Sequence, residues 1–115
     1  MNAICDNMSK YIVGLLEDKK AHDITLLSIG HLTTLADFFI IVTGTSSTHI
    51  QAMADHIEKE MTLLGFPLKH REGKAQGGWL LLDYKDVIVH VFSNEMRQYY
   101  HIERIWSDAQ IIPTR

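Results

Sequence analysis

The sequence feature that most constrains the fold is an uninterrupted apolar run at residues 38–42, Phe-Phe-Ile-Ile-Val, which ends at Thr43 and Gly44. Aromatic and β-branched side chains dominate the run, and it is too short for a buried helix. A strand without polar positions has both of its faces covered, as in a sheet flanked by helices. The run therefore predicts a central strand in an α/β fold.

Three amphipathic segments predict the helices that such a strand needs. Apolar residues recur at spacings of three and four over residues 4–20 and again over residues 50–64. The second of these helices follows a hydroxyl-rich stretch in which Thr48 fits a capping box. A third helix is predicted over residues 95–106, with its N-cap at residues 93–94.

Four more segments have the composition of strands: residues 24–29, 66–71, 79–84 and 87–92. Residues 72–78 are rich in glycine and predict an exposed loop, and Lys85 and Asp86 predict a tight hairpin between the last two strands. The order α-β-β-α-β-β-β-α predicts a mixed β-sheet of about five strands with flanking helices.

Composition limits the class of protein. With 115 residues, 46% of them hydrophobic and 22% charged, the chain fits one globular domain. We expect this domain to span residues 1–115, with residues 1–3 and 110–115 loosely ordered. A lone Cys5, no signal peptide and no apolar run of membrane-spanning length favour a cytoplasmic protein without membrane contact. The net charge of −3 argues against nucleic acid as the primary contact and suits a metabolite or a basic protein partner.

Residues 44–47, Gly-Thr-Ser-Ser, follow a strand and open a helix, a geometry that can hold an anion. The P-loop lysine and the G-x-G-x-x-G pattern are both missing, which favours a simple capped helix start. Nucleotidyltransferases open in the same way but need two carboxylates that alternate on a following strand. The sequence contains neither D-x-D nor D-x-E. A nucleotide-binding enzyme of nucleotidyltransferase-like fold is therefore only the alternative.

The seven histidines do not predict a metal site. None of them falls in H-x-x-x-H with an acidic partner, and His49 and His56 lie two helical turns apart. His90 alternates with Ile88 and Phe92 on a predicted strand, which favours a packed or hydrogen-bonded histidine. Cys5 lies near the terminus and no serine lies in G-x-S-x-G. We expect no metal, no cofactor, no catalytic residue and no enzymatic activity.

Trp79 begins a predicted strand that continues with three leucines. Since side chains alternate along a strand, the three leucines cannot all face one way. If helices leave one face bare, an aromatic and leucine patch is exposed, and such patches mark protein interfaces. On the residues alone, a core position and an interface position for this patch are equally open. A short basic stretch, residues 69–71 with Lys74, makes RNA binding the weakest alternative.

Four stretches together resemble the ribosomal silencing factor family, also called Iojap-like. They lie at residues 35–55, 78–84, 86–92 and 97–109. The second reads Gly-Trp-Leu-Leu-Leu-Asp-Tyr, and the third reads Asp-Val-Ile-Val-His-Val-Phe. The resemblance covers nearly the whole chain. It implies a mixed α/β fold similar to nucleotidyltransferases but without their catalytic carboxylates.

The resemblance also implies a function. A member of this family is expected to bind the large ribosomal subunit through ribosomal protein fourteen, to block joining of the small subunit sterically, and so to repress translation when nutrients are scarce. The resemblance places the partner-binding surface on Trp79, Leu80, Leu82, Asp83, Tyr84, Arg97, Tyr100 and Glu103. Trp79 and Tyr84 are the expected anchors and Asp83 a charge that faces basic side chains, whereas Arg97, Tyr100 and Glu103 either join the surface or brace it. Whether the free protein forms a homodimer stays open.

Overall fold

The computed structural model describes residues 3–113, and its centre is one mixed β-sheet. Its strands are β1 (His22–Ser28), β2 (Phe38–Gly44), β3 (His70–Lys74), β4 (Trp79–Asp83), β5 (Val87–Ser93) and β6 (Gln110–Ile112). The spatial order is β3-β4-β5-β2-β1-β6. The β2–β5 pair is parallel and the other neighbours are antiparallel. The predicted mixed sheet is confirmed, with six strands in place of about five.

In the described part of the chain, four helices flank the sheet: α1 (Ala3–Asp18), α2 (Ser47–Leu63), α3 (Asn94–Tyr100) and α4 (Ile102–Ile105). A turn of 3₁₀ helix, residues Ala75–Gly77, joins β3 to β4. No helix within residues 3–113 is long and apolar enough to cross a membrane. The likeness to nucleotidyltransferases stays a prediction.

The central strand has the environment that its apolar sequence predicts. Every residue of β2 is buried, and the strand lies between β1 and β5. On one face, Phe38, Ile40 and Val42 belong to the main core under α1 and α2. On the other face, Phe39 and Ile41 belong to a second core with residues of α3, α4 and the segment that follows them. Helices on both faces explain why residues 38–42 of β2 include no polar position.

The start of α2 and the third strand differ from their predicted positions. The N-cap of α2 is Ser46, whose side chain accepts a hydrogen bond from the backbone N–H of His49, so Thr48 is not the cap. The third strand covers residues 70–74, later than the predicted residues 66–71. Pro67 has no N–H to donate to a ladder, so regular pairing begins beyond it. Glu72–Lys74, expected in a loop, belong to β3 and pair with β4, as His70 and Arg71 do.

The C-terminal part of the chain differs most from the prediction. The helix expected over residues 95–106 is interrupted at His101, which adopts a left-handed backbone with φ 50° and separates α3 from α4. Residues 110–112, expected to be loosely ordered, form β6 and pair with β1. This pairing covers the edge of β1 at residues 26–28, where an open sheet edge would leave backbone groups free. The sequence of β6 is too short to carry a strand signal of its own.

Candidate protein-interaction surface

The structure corrects the expected positions of three candidate partner-binding residues. Leu80, Leu82 and Tyr84 are buried in the main core, below the layer formed by α1 and α2. We expected all three at a partner surface, and Tyr84 as an anchor. Buried side chains offer a partner no area to contact, so their role is to support the sheet.

The alternate residues of β4 point the other way. Trp79, Leu81 and Asp83 are half-buried on the face that carries α3. α3 packs on β5 and β2, and the exposed side chains of Tyr99 and Tyr100 lie at its C-terminal end. The ring centroids of Trp79 and Tyr100 are 6.5 Å apart, and those of Tyr99 and Tyr100 are 5.2 Å apart. We call these five residues the β4–α3 surface.

Trp79 is anchored by a buried histidine. Its indole Nε1–H donates a hydrogen bond to Nδ1 of His90, with the two nitrogens 3.3 Å apart. His90 is 6% exposed, and burial lowers its pKa to about 4. The ring is therefore neutral at physiological pH and can accept at Nδ1. The prediction of a packed or hydrogen-bonded His90 is confirmed.

Arg97 braces α3 against the sheet. Its guanidinium donates hydrogen bonds to the carbonyl oxygen of Asp23, to Oγ1 of Thr25 at 2.9 Å and to Oγ1 of Thr43 at 3.0 Å. Planar donors suit several fixed acceptors at once. Arg97 thus ties the helix that carries Tyr100 to β1 and β2.

Asp83 and Glu103 complete the predicted set. Oδ1 of Asp83 accepts a hydrogen bond from the backbone N–H of Lys85 at 2.7 Å. Lys85 has φ 76°, so Asp83 stabilises the turn between β4 and β5 as well as facing outward. Glu103 belongs to α4, and its side chain lies outside the described part of the structure.

Residues 44–47, which suggested an anion site, lie at the start of α2 and help to join it to α1. The backbone N–H of Thr45 donates to Nδ1 of His49 at 2.9 Å, and Nε2 of His49 contacts the carbonyl oxygen of Lys19 at 2.7 Å. Since a carbonyl only accepts, Nε2 carries the proton and Nδ1 is the acceptor. Together with the Ser46 cap, these bonds occupy backbone donors at the start of α2 and join it to the end of α1. The prediction of a capped helix start is confirmed.

The basic stretch is partly neutralised by carboxylates. Arg71 lies 3.0 Å from Glu58 and 3.5 Å from Asp55, and Nε2 of His70 lies 3.0 Å from Glu72. Such pairing weakens the attraction for phosphates that an RNA site requires. Among the side chains that the structure describes, no three from histidine, cysteine or acidic residues converge in a way that could hold a metal ion.

The sequence prediction missed two residues of this surface, Leu81 and Tyr99. The signal for Leu81 was strand alternation, which places it on the same face as Trp79. Tyr99 is 76% exposed, and it could be assigned only once the end of α3 was known.

These observations define a small mixed α/β protein whose most distinctive outward feature is an aromatic surface suited to a macromolecular partner. Residues 4–115 match the family described as "Ribosomal silencing factor during starvation". The ribosomal silencing factor RsfS of Halalkalibacterium halodurans is 38% identical over 87% of this chain and 86% of its own. The chain belongs to the ribosomal silencing factor family, whose name describes a regulatory factor, not an enzyme.

Structural and more distant comparisons agree with this assignment. A crystal structure of a protein from Chromobacterium violaceum superposes with a TM-score of 0.87 at 34% identity, over 93% of this chain and 88% of that one. A mouse protein named "Mitochondrial assembly of ribosomal large subunit protein 1" is 29% identical over 84% of this chain, which covers 43% of the mouse protein. The fold of this chain is therefore that of solved bacterial relatives.

Proposed function

We propose that this protein silences the ribosome by binding the large subunit through the β4–α3 surface, so that the small subunit cannot join. The observation that carries the proposal is the half-buried Trp79 beside the exposed Tyr99 and Tyr100. Tryptophan and tyrosine are enriched at the energetic centres of protein interfaces, because each presents a large rigid area with a polar tip.

Ribosomal protein fourteen is the partner that the family resemblance implies, and the name of the mouse relative supports a role at the large subunit. The net charge of −3 suits a basic ribosomal protein. Acidic groups lie beside the aromatic residues, since Asp83 is on β4 and Glu72 pairs with Leu81 across the ladder. Rim charges of this kind act mainly on the association rate, so added salt should slow binding.

The protein is large enough for a steric mechanism. Its accessible surface is 6583 Å², so a standard interface of about 800 Å² on its side uses roughly an eighth of that surface. The body measures 34 × 33 × 27 Å. A body of this size, bound where the subunits meet, separates their surfaces by much more than a contact distance.

Binding to purified large subunits tests the surface. Tyr100→Ala should weaken co-sedimentation in a sucrose gradient about tenfold or more, as expected for an interface hot spot. Tyr11→Ala is the matched control, because Tyr11 is 43% exposed and Tyr100 is 49% exposed, and Tyr11 lies on α1 at the opposite layer. The control should bind like the wild type.

A second measurement tests the function itself. Light scattering during subunit joining should report less association when the wild-type protein is added, and Tyr100→Ala should restore it. A wild-type protein that neither co-sediments with large subunits nor slows joining would remove the proposed function. Normal binding by both Tyr100→Ala and Tyr99→Ala would keep the function and exclude the β4–α3 surface as the site.

A further inference from the structure

Three elements surround the indole of Trp79. His90 on β5 accepts its N–H, and the two rings lie 22° from parallel. Tyr100 on α3 lies at its side. Gly73 on β3 leaves the space that the indole occupies, because a Cβ atom on Gly73 would lie 2.8 Å from Cε3 of Trp79. The tryptophan is thus enclosed on the sheet side while part of it faces outward.

His90 is itself held in one orientation. Its ring stacks on Phe92, with centroids 5.8 Å apart and planes 4° apart, and meets the edge of Phe39 at 5.0 Å. In the ladder it lies directly opposite Leu81. A ring packed between aromatic neighbours has few rotamers, so Nδ1 is presented to β4 at a defined place.

Orientation of an interface tryptophan affects binding. A half-buried indole N–H needs an acceptor, and loss of that acceptor would favour a different rotamer. A side chain that is ordered before binding also loses less conformational entropy when the partner docks. Neither argument requires His90 to touch the partner.

We propose that His90 is a positioning residue, which sets the orientation of Trp79 on the β4–α3 surface through the hydrogen bond from Nε1 of the indole to its Nδ1. The proposal rests on the proposed function, because it assigns His90 a role in recognition of the large subunit. It adds a residue that lies beneath the surface to those that form it.

A double-mutant cycle with Trp79→Phe tests the proposal. His90→Leu removes the acceptor, and His90→Asn retains an acceptor oxygen at the place of Nδ1. Loss of one hydrogen bond that orders a contact residue should weaken large-subunit binding about threefold to tenfold. His90→Asn should recover most of that loss. In the Trp79→Phe background, which has no indole N–H, His90→Leu should have no further effect.

Nuclear magnetic resonance of the free protein provides a readout that does not depend on the ribosome. The indole N–H resonance of Trp79, assigned by its loss in Trp79→Phe, should shift in His90→Leu and exchange faster with solvent, while the backbone spectrum stays folded. His56→Leu is the matched control, because this histidine is mostly buried in the other layer, and it should leave the indole resonance in place.

The outcomes separate the two proposals. An unchanged indole resonance in His90→Leu, or an equal loss of affinity in the presence and absence of the indole N–H, would overturn the positioning role. If the wild-type protein fails to bind large subunits while the indole resonance shifts as described, the proposed function fails, and the hydrogen bond then has no role in recognition. A shift together with non-additive binding losses supports both proposals.

Discussion

Replacement of Tyr84 by phenylalanine separates a core role from an interface role. Tyr84 is 4% exposed, and its hydroxyl has no hydrogen-bond partner among the residues that the structure describes. Burial, and next the carboxylate of Glu58, raise the pKa of Tyr84 well above its ordinary value of 10.0. A buried hydroxyl without a partner lowers the stability of the folded state, and phenylalanine has no such group.

The size of the effect follows from the burial. An unsatisfied buried polar group costs about 1–3 kcal/mol, and the lower end applies because the charged pair of Arg71 and Glu58 lies nearby. Tyr84→Phe should therefore raise the free energy of unfolding by about 1 kcal/mol. The entropy of unfolding for a chain of this length is about 0.24 kcal/mol/K, so the melting temperature should rise by about 4 °C.

The pH dependence gives a second signature. Because the folded pKa of Tyr84 is raised, the unfolded chain loses the phenolic proton first as the pH rises above 10.0. The wild type is then destabilised by roughly 1 kcal/mol per pH unit from this group, and the phenylalanine variant is not. The stability gap between the two proteins should widen from pH 10 to pH 11.

Urea denaturation at pH 7, 10 and 11 and thermal melting at pH 7, both followed by circular dichroism, measure these differences, and co-sedimentation measures binding. Tyr11→Phe, at an exposed tyrosine, should change neither stability nor binding. We expect Tyr84→Phe to bind large subunits like the wild type. A folded Tyr84→Phe protein that loses affinity would refute the assignment of Tyr84 to the core, and a lower melting temperature would refute the account of its hydroxyl.

Three further changes test other parts of the structure. Burial lowers the pKa of His90 from 6.5 to about 4, so the unfolded state binds the proton first on acidification. The free energy of unfolding of the wild type should therefore fall by about 3 kcal/mol in all between pH 6.5 and pH 4. Urea denaturation of His90→Leu should not show this loss. Gly73→Ala should lower the free energy of unfolding by about 1–3 kcal/mol in thermal unfolding, since φ is +85° and the new Cβ would clash with Trp79. Gly77→Ala is the control and should not lower it, because nothing lies within 4 Å of a Cβ at that position. Ser46→Ala should lose about 1 kcal/mol of stability with the α2 cap, and equal loss in Ser47→Ala would contradict that assignment.

Local patterns in the sequence determined the main elements. The apolar run at residues 38–42 predicted a buried central strand, and β2 is buried throughout. The spacing of apolar residues predicted α2, because a helix repeats its buried face every three to four residues. Both signals depend only on neighbours along the chain. The sequence of the strand alone left Trp79 equally open to a core or an interface position, and the family resemblance made it an expected anchor.

Only the tertiary structure decided which side of β4 is buried under α1 and α2 and which side carries the β4–α3 surface. Alternation divides Trp79 and Leu81 from Leu80 and Leu82, but the sequence of the strand does not say which pair lies under α1 and α2. That choice follows from the register with β5, where Leu80 is opposite Val91 and Trp79 opposite Phe92.

The same limit explains the other differences. β6 forms by pairing with the edge of β1, which is far away in sequence. α3 ends at His101, whose left-handed backbone with φ 50° interrupts the helix. Pairing between distant segments is set by packing of the whole chain, which no local pattern contains. The sequence thus determined which residue types were candidates for the surface, and the fold decided which of these residues are exposed on it.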